Sequence, residues 1–168
     1  MEKSLDIEFE KAVRMLAEHF PVSEEGSRKP VLFHDIRVGV YLYERGYARD
    51  IVLAGVLHDA LEFSDITEQM LREEFGDNVL KIVQANSKDR SIQDSDERIE
   101  ELIRRCAAAG QDALIVKAAD TLDSFQHYTK TDNQAELEYC AKTTVAIFKY
   151  KPEDFNGAVF SEIRKWQK

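Results

Sequence analysis

The sequence is short of the residues that interrupt helices. Seven glycines and three prolines in 168 residues, set against many Ala, Leu, Glu and Lys, favour an all-α fold. Cysteine is scarce too. Cys106 and Cys140 lack metal-type spacing, so they read as small buried apolar residues rather than a disulfide or a redox pair. No apolar stretch reaches the ~18 residues that a bilayer span needs, which argues against a membrane partner. Basic residues are outnumbered, 23 against 32 acidic, for a net charge of −9. That balance argues against nucleic acid as the main partner, because a phosphate backbone calls for a basic surface. A small phosphorylated substrate stays admissible, since a metal ion and a few local cations can hold one. The first residues, Met1 to Asp6, are charged and lack a signal-peptide core, so a cytoplasmic protein is expected. Histidine is the last scarcity: His19, His34, His58 and His127 are all there are.

Against this background the run Ile51-Val52-Leu53-Ala54-Gly55-Val56-Leu57 is conspicuous, and it ends in His58-Asp59-Ala60-Leu61-Glu62. Its Ala and Leu content and its lack of a polar face predict a helix buried on most sides. Polar groups at the end of a buried helix are costly unless something satisfies them, and a metal ion would do so.

The rest of the chain reads as further helices. One is expected over residues 4–20, stopped by Pro21, and a loop follows to Pro30. That loop carries Arg28 and Lys29 just before His34. A second helix over residues 33–43 places His34 and Arg37 on one face, and the third runs from about 48 to 61. Asp65 and Glu68 fit a capping box, and Asp77 begins another helix after Gly76. Residues 86–96 form a polar loop in which Lys88 and Arg90 can face an anionic ligand or solvent. Asp94 or Ser95 caps the next helix. Ala113 to Asp123 is a second apolar run, predicted as a buried helix with Asp120 near its middle. An unpaired buried carboxylate is expensive, so Asp120 needs a partner, either Lys117 three residues back or a metal ion. Helices over 132–150 and around Ile163 and Trp166 close the chain. The length fits one domain over residues 1–168, with a motif-bearing core at about 28–130 and the helices of 132–168 packed on it.

His34, His58, Asp59 and Asp120 are therefore candidate ligands on three otherwise apolar helices. Two imidazoles and two carboxylates suit one divalent ion, manganese first, with iron, nickel, zinc or magnesium as alternatives. Such a set leaves positions open for water and substrate, as a hydrolytic metal requires.

The ordered set His34, His58-Asp59, Asp120 resembles the HD-domain superfamily of metal-dependent phosphohydrolases. It is carried by His34-Asp35-Ile36-Arg37-Val38, by the doublet, and by Lys117-Ala118-Ala119-Asp120-Thr121-Leu122. The resemblance implies an all-α, single-domain HD bundle and these four residues as metal ligands. Dinuclear members carry extra histidines between the doublet and the last Asp, and this chain has none there, so one ion is expected. The chain is most similar to the branch that hydrolyses (p)ppGpp, through Leu71 to Val79, Arg28-Lys29 and the polar loop before the Asp120 helix. The implied function is hydrolysis of a small nucleotide or related phosphate ester, with a homodimer as an admissible assembly. Glu62, one turn after His58, is expected to position or deprotonate water. Arg37 is expected to neutralise phosphoryl charge or to pair with a nearby carboxylate. Arg28, Lys29, Lys88 and Ser124 are the expected substrate-side contacts. Phe63 stands where the branch has a second acid, and Ser124 where it has Asn. Those two departures favour the alternative, a regulatory module that binds metal or nucleotide without turnover.

Overall fold

The structure, a computed structural model, describes residues 4–167; the first three residues and the last of the expected 1–168 domain lie outside them. Every regular element among the described residues is helical: α1 Leu5–His19, α2 Val31–Glu44, α3 Arg49–Leu57, α4 Ala60–Phe63, α5 Glu68–Phe75, α6 Asp77–Asn86, α7 Ser95–Ala109, α8 Gln111–Lys130, α9 Gln134–Tyr150 and α10 Ala158–Arg164. The all-α expectation is met, and none of these helices is long and apolar enough to cross a membrane. The chain divides into two compact units between Ser87 and Lys88.

In the first unit α3 is the central post. Every residue from Ile51 to Leu57 is buried, and α1, α2 and α6 pack around it. This is the environment expected of a helix without a polar face. Its start is tied to α1 by Arg49, whose Nε and Nη2 donate to the two carboxylate oxygens of Glu8 at 2.7 and 2.6 Å. The forked geometry fixes direction as well as distance. In the second unit α8 plays the same part, packed by α7, α9 and α10. Its residues Ala113 to Leu122 are all buried.

Two glycines set how closely α2 and α3 approach. A Cβ on Gly39 would lie 2.2 Å from Cγ2 of Val56, and one on Gly55 would lie 2.4 Å from Cδ1 of Leu42. The obstacles differ in kind. Val56 is β-branched and stiff in a helix, whereas the Leu42 methyl is the far end of a longer side chain. Gly39→Ala is therefore expected to cost about 1–3 kcal/mol through overpacking. Gly55→Ala should come out nearer neutral, because the gain in helix propensity, about 1 kcal/mol, offsets a smaller clash. Urea midpoints for the two variants check the order.

Three local expectations are corrected. The helix predicted to run from about 48 to 61 is broken at the doublet: α3 ends at Leu57, and α4 begins at Ala60. Asp59 sits at φ −94°, ψ −2°, and the amides of Glu62 and Phe63 both donate to its carbonyl at 3.1 Å. The His58 imidazole meanwhile takes a carbonyl of the preceding turn, at Gly55. The capping box at Asp65 does not form, because Asp65 pairs with His19 at 2.7 Å; Thr67 caps α5 instead, accepting from the Met70 amide. The helix expected from 132 starts two residues later, since Asp132 adopts φ 52° and Asn133 supplies the cap. Asp94 caps α7 as expected, accepting from the Glu97 amide at 2.9 Å.

Candidate metal centre

The first turn of α2 and the α3–α4 break bring two His-Asp dipeptides face to face. His34 and Asp35 come from α2, and His58 and Asp59 from the break. The imidazole rings stand edge to face, with centroids 5.3 Å apart at 76°. One nitrogen or carboxylate oxygen from each of the four residues lies within 4.8 Å of all the others. His34 and Asp35 are fully buried, and His58 and Asp59 are 1% and 9% exposed.

The tautomer of His58 follows from its surroundings. Nδ1 lies 2.7 Å from the Gly55 carbonyl, which can only accept, so Nδ1 carries the proton and donates. Nε2 is then the ring atom that faces Oδ1 of Asp35 at 3.8 Å and Oδ2 of Asp59 at 3.5 Å. A backbone carbonyl holding the far nitrogen of a ligating histidine is a recurrent device at metal sites, since it fixes the ring and raises its basicity.

Electrostatics make the group hungry for a cation. Burial pushes the Asp35 carboxyl well above the usual carboxylate range, and the neighbouring Asp59 pushes it further; His58 and Lys29 act in the opposite direction. Neither Asp35 oxygen accepts a hydrogen bond of normal geometry from the described residues. Separations of 3.5 and 3.8 Å are poor for hydrogen bonds. They are close to the spacing of atoms that share one ion at about 2.0–2.2 Å each. Two imidazole nitrogens and two carboxylate oxygens thus fit a first-row divalent ion.

Asp35 is the member that sequence reading missed. Its signal was in plain view, because His34-Asp35 repeats the doublet of His58-Asp59.

The other expected residues fall in several places. Lys29 reaches the group, with Nζ 3.1 Å from Nε2 of His34. Arg28 is exposed in the preceding loop. The Arg37 guanidinium lies over the Phe33 ring, 4.7 Å from its centroid. Glu62 and Phe63 sit half-buried on α4, just past the break that follows α3. In the second unit Asp120 is buried in the middle of α8. Its Oδ2 accepts from Nζ of Lys117 at 2.7 Å, and Oγ of Ser124 lies 3.5 Å from Oδ1. Burial, the largest single effect, pulls the Lys117 ammonium down, but the charge and hydrogen bond of Asp120 together with Tyr139 and Cys106 leave the net shift upward. Lys88 lies over the Tyr139 ring, 5.4 Å from its centroid. A cleft of about 490 Å³ near α10, lined by Phe148, Lys151, Phe160 and Arg164 among others, holds none of these residues.

Comparison with known proteins places the chain in a family. The model of the HD domain matches residues 12–150. The guanosine-3′,5′-bis(diphosphate) 3′-pyrophosphohydrolase of Aquifex aeolicus is 28% identical over 119 residues, which cover 70% of this chain and 17% of that protein. The enzyme of the same name from Danio rerio, MESH1, is 33% identical over 95 residues, covering 55% of this chain and 52% of that one. The chain thus spans about half of the zebrafish protein and under a fifth of the bacterial one. A solved structure of a metazoan orthologue of SpoT that hydrolyses ppGpp superposes with a TM-score of 0.73 at 19% identity, over 99% of this chain and 96% of that one. At that identity the likeness establishes the fold.

Proposed function

The chain belongs to the HD-domain family, and from that premise we propose that it is a metal-dependent phosphohydrolase acting on a small nucleotide phosphate, of which the (p)ppGpp type is the leading candidate. The observation that carries this reading is the convergence of two buried His-Asp dipeptides into one donor set. The names of the Aquifex and zebrafish relatives support the substrate class. The family match runs across the division at Ser87, which supports treating the two units as one domain.

When bound, a divalent ion supplies Lewis acidity, lowering the pKa of water and offsetting phosphate charge. In this reading His34, Asp35, His58 and Asp59 hold that ion, with Asp120 as a further ligand, and manganese is the resident metal. Glu62 accepts the proton of the attacking water as its oxygen bonds to phosphorus and the ester oxygen departs. Arg37 and Lys29 offset charge on the phosphoryl oxygens, while Arg28, Lys88 and Ser124 face the nucleotide. The protein acts in the cytoplasm, as a monomer or a homodimer.

The test is turnover on a panel of ppGpp, pppGpp, GTP, GDP and a simple aryl phosphate, with manganese added. Wild-type turnover that falls by about 10²–10⁴-fold in Glu62→Gln supports the assignment of the base. Turnover that survives the change removes Glu62 from that role. The second reading, a module that binds without turnover, is favoured by Phe63 and Ser124, which stand where the resembling branch has Asp and Asn. Tight binding of ppGpp with no hydrolysis of any panel member decides for it.

A further inference from the structure

Lys29 occupies an unusual place for a residue from a partly exposed loop. Its ammonium lies 3.1 Å from Nε2 of His34, and an ammonium can only donate. A neutral imidazole has one ring-nitrogen lone pair to offer a metal ion, and that of His34 is therefore already engaged at Nε2. The reach is short: Lys29 precedes Pro30, the N-cap of α2, and His34 lies one turn inside that helix, its amide bonded to the Pro30 carbonyl at 3.0 Å. Lys29 itself is half-buried, whereas the group it touches is closed to solvent. Its stem thus runs from the surface to the mouth of the donor set.

We infer that Lys29 is a tethered cation that shields the donor set while no metal is bound, and that metal binding must displace its ammonium from His34. The inference rests on the metal-binding part of the proposed function and is independent of which phosphate is hydrolysed. The physical reason is that two carboxylates and two imidazoles buried together need positive charge nearby. A divalent ion and an ammonium cannot both use one lone pair. Lys29 therefore competes with the metal for Nε2, and loading turns its head group outward, towards any anion that arrives.

Two measurements decide. The first is manganese affinity, by competition with a fluorescent chelator, for wild type, Lys29→Met and His58→Ala. Methionine keeps most of the length of the side chain without its charge, and the position is half-exposed, so the fold should tolerate it. Loss of a hydrogen-bonded charged competitor is expected to tighten binding by about tenfold. Affinity that is unchanged or weaker in Lys29→Met overturns the competition. The second uses wild type alone and does not depend on any variant folding. Amine acylation at Lys29, followed by mass spectrometry, should speed up as manganese saturates the protein, with surface lysines as the internal reference. A rate that stays level or falls overturns the displacement. If wild type binds manganese and obeys both expectations but hydrolyses nothing, the inference stands and the hydrolase reading falls. If wild type binds no better than His58→Ala, the metal site and the role of Lys29 fall together.

Discussion

The His58→Ala protein is expected to purify without its metal while keeping its helical content. The ring contributes an Nε2 lone pair held in place by the Nδ1 bond to Gly55, and alanine supplies no donor at that position. Loss of an outer partner of a metal ligand alone costs about 10–100-fold in affinity, so loss of a ligand should cost at least about a hundredfold. The readout need not be activity. A protein with metal at about 100 times its Kd gains about 2.7 kcal/mol of stability. At this chain length that corresponds to a rise in Tm of about 5–10 °C. Wild type should show that rise on adding manganese after treatment with a chelator, and His58→Ala should show none. The variant will also be less stable without metal, because the ring is fully buried and its removal leaves a cavity. The decisive quantity is therefore the shift on adding metal and not the starting Tm. A metal-dependent rise of full size in His58→Ala would mean that the buried group is a polar knot of the core and binds nothing.

How far the sequence foretold this site is clearest residue by residue. The central helix was legible because its composition and lack of a polar face state its burial directly, and α3 is buried from Ile51 to Leu57. The break at His58 and Asp59 was not legible. Helix propensity continues through Leu61, and what stops the helix is the backbone turn at Asp59 together with an imidazole taking the Gly55 carbonyl. Those interactions exist only once the ring is packed against α2. The failed cap at Asp65 has a similar origin, since its partner His19 lies 46 residues away. No local pattern announces that. His34, His58 and Asp59 were found through residue type and order. Asp35 entered the sequence reading only as part of His34-Asp35-Ile36-Arg37-Val38 and was given no role of its own. Its burial beside a second His-Asp pair is a property of the α2–α3 packing, which two glycines make possible. Lys29 was read as a substrate contact from its charge and position, and its bond to His34 could not be inferred from spacing in a loop.

Asp35 gives the other large effect, and it has two signs. Burial and the adjacent Asp59 hold its carboxyl well above the usual range in the folded, metal-free protein. The folded chain then keeps a proton that the unfolded chain releases once the pH passes the ordinary carboxylate value. Stability falls with rising pH wherever the native state binds more protons than the unfolded state. Asp35 thus makes the metal-free protein lose stability as the pH rises from the usual carboxylate value towards the higher folded value, and its contribution is most favourable at the acidic end. The Asp35→Asn protein has nearly the same shape and no charge to bury, so that contribution disappears. Without metal it should melt above wild type at neutral pH, by about 2–4 °C for each kcal/mol of relieved repulsion. Its manganese affinity should fall by about a hundredfold or more, because the amide is a much poorer ligand than the carboxylate it replaces. Melting curves after chelation, at acidic and neutral pH, and a chelator competition measure the two effects separately. A residue serving only the fold would lose stability on substitution and leave metal affinity alone. A residue held in a costly state for the sake of an ion gains stability and loses the ion. If Asp35→Asn melts lower without metal and binds manganese as wild type does, the donor set is His34, His58 and Asp59 without it.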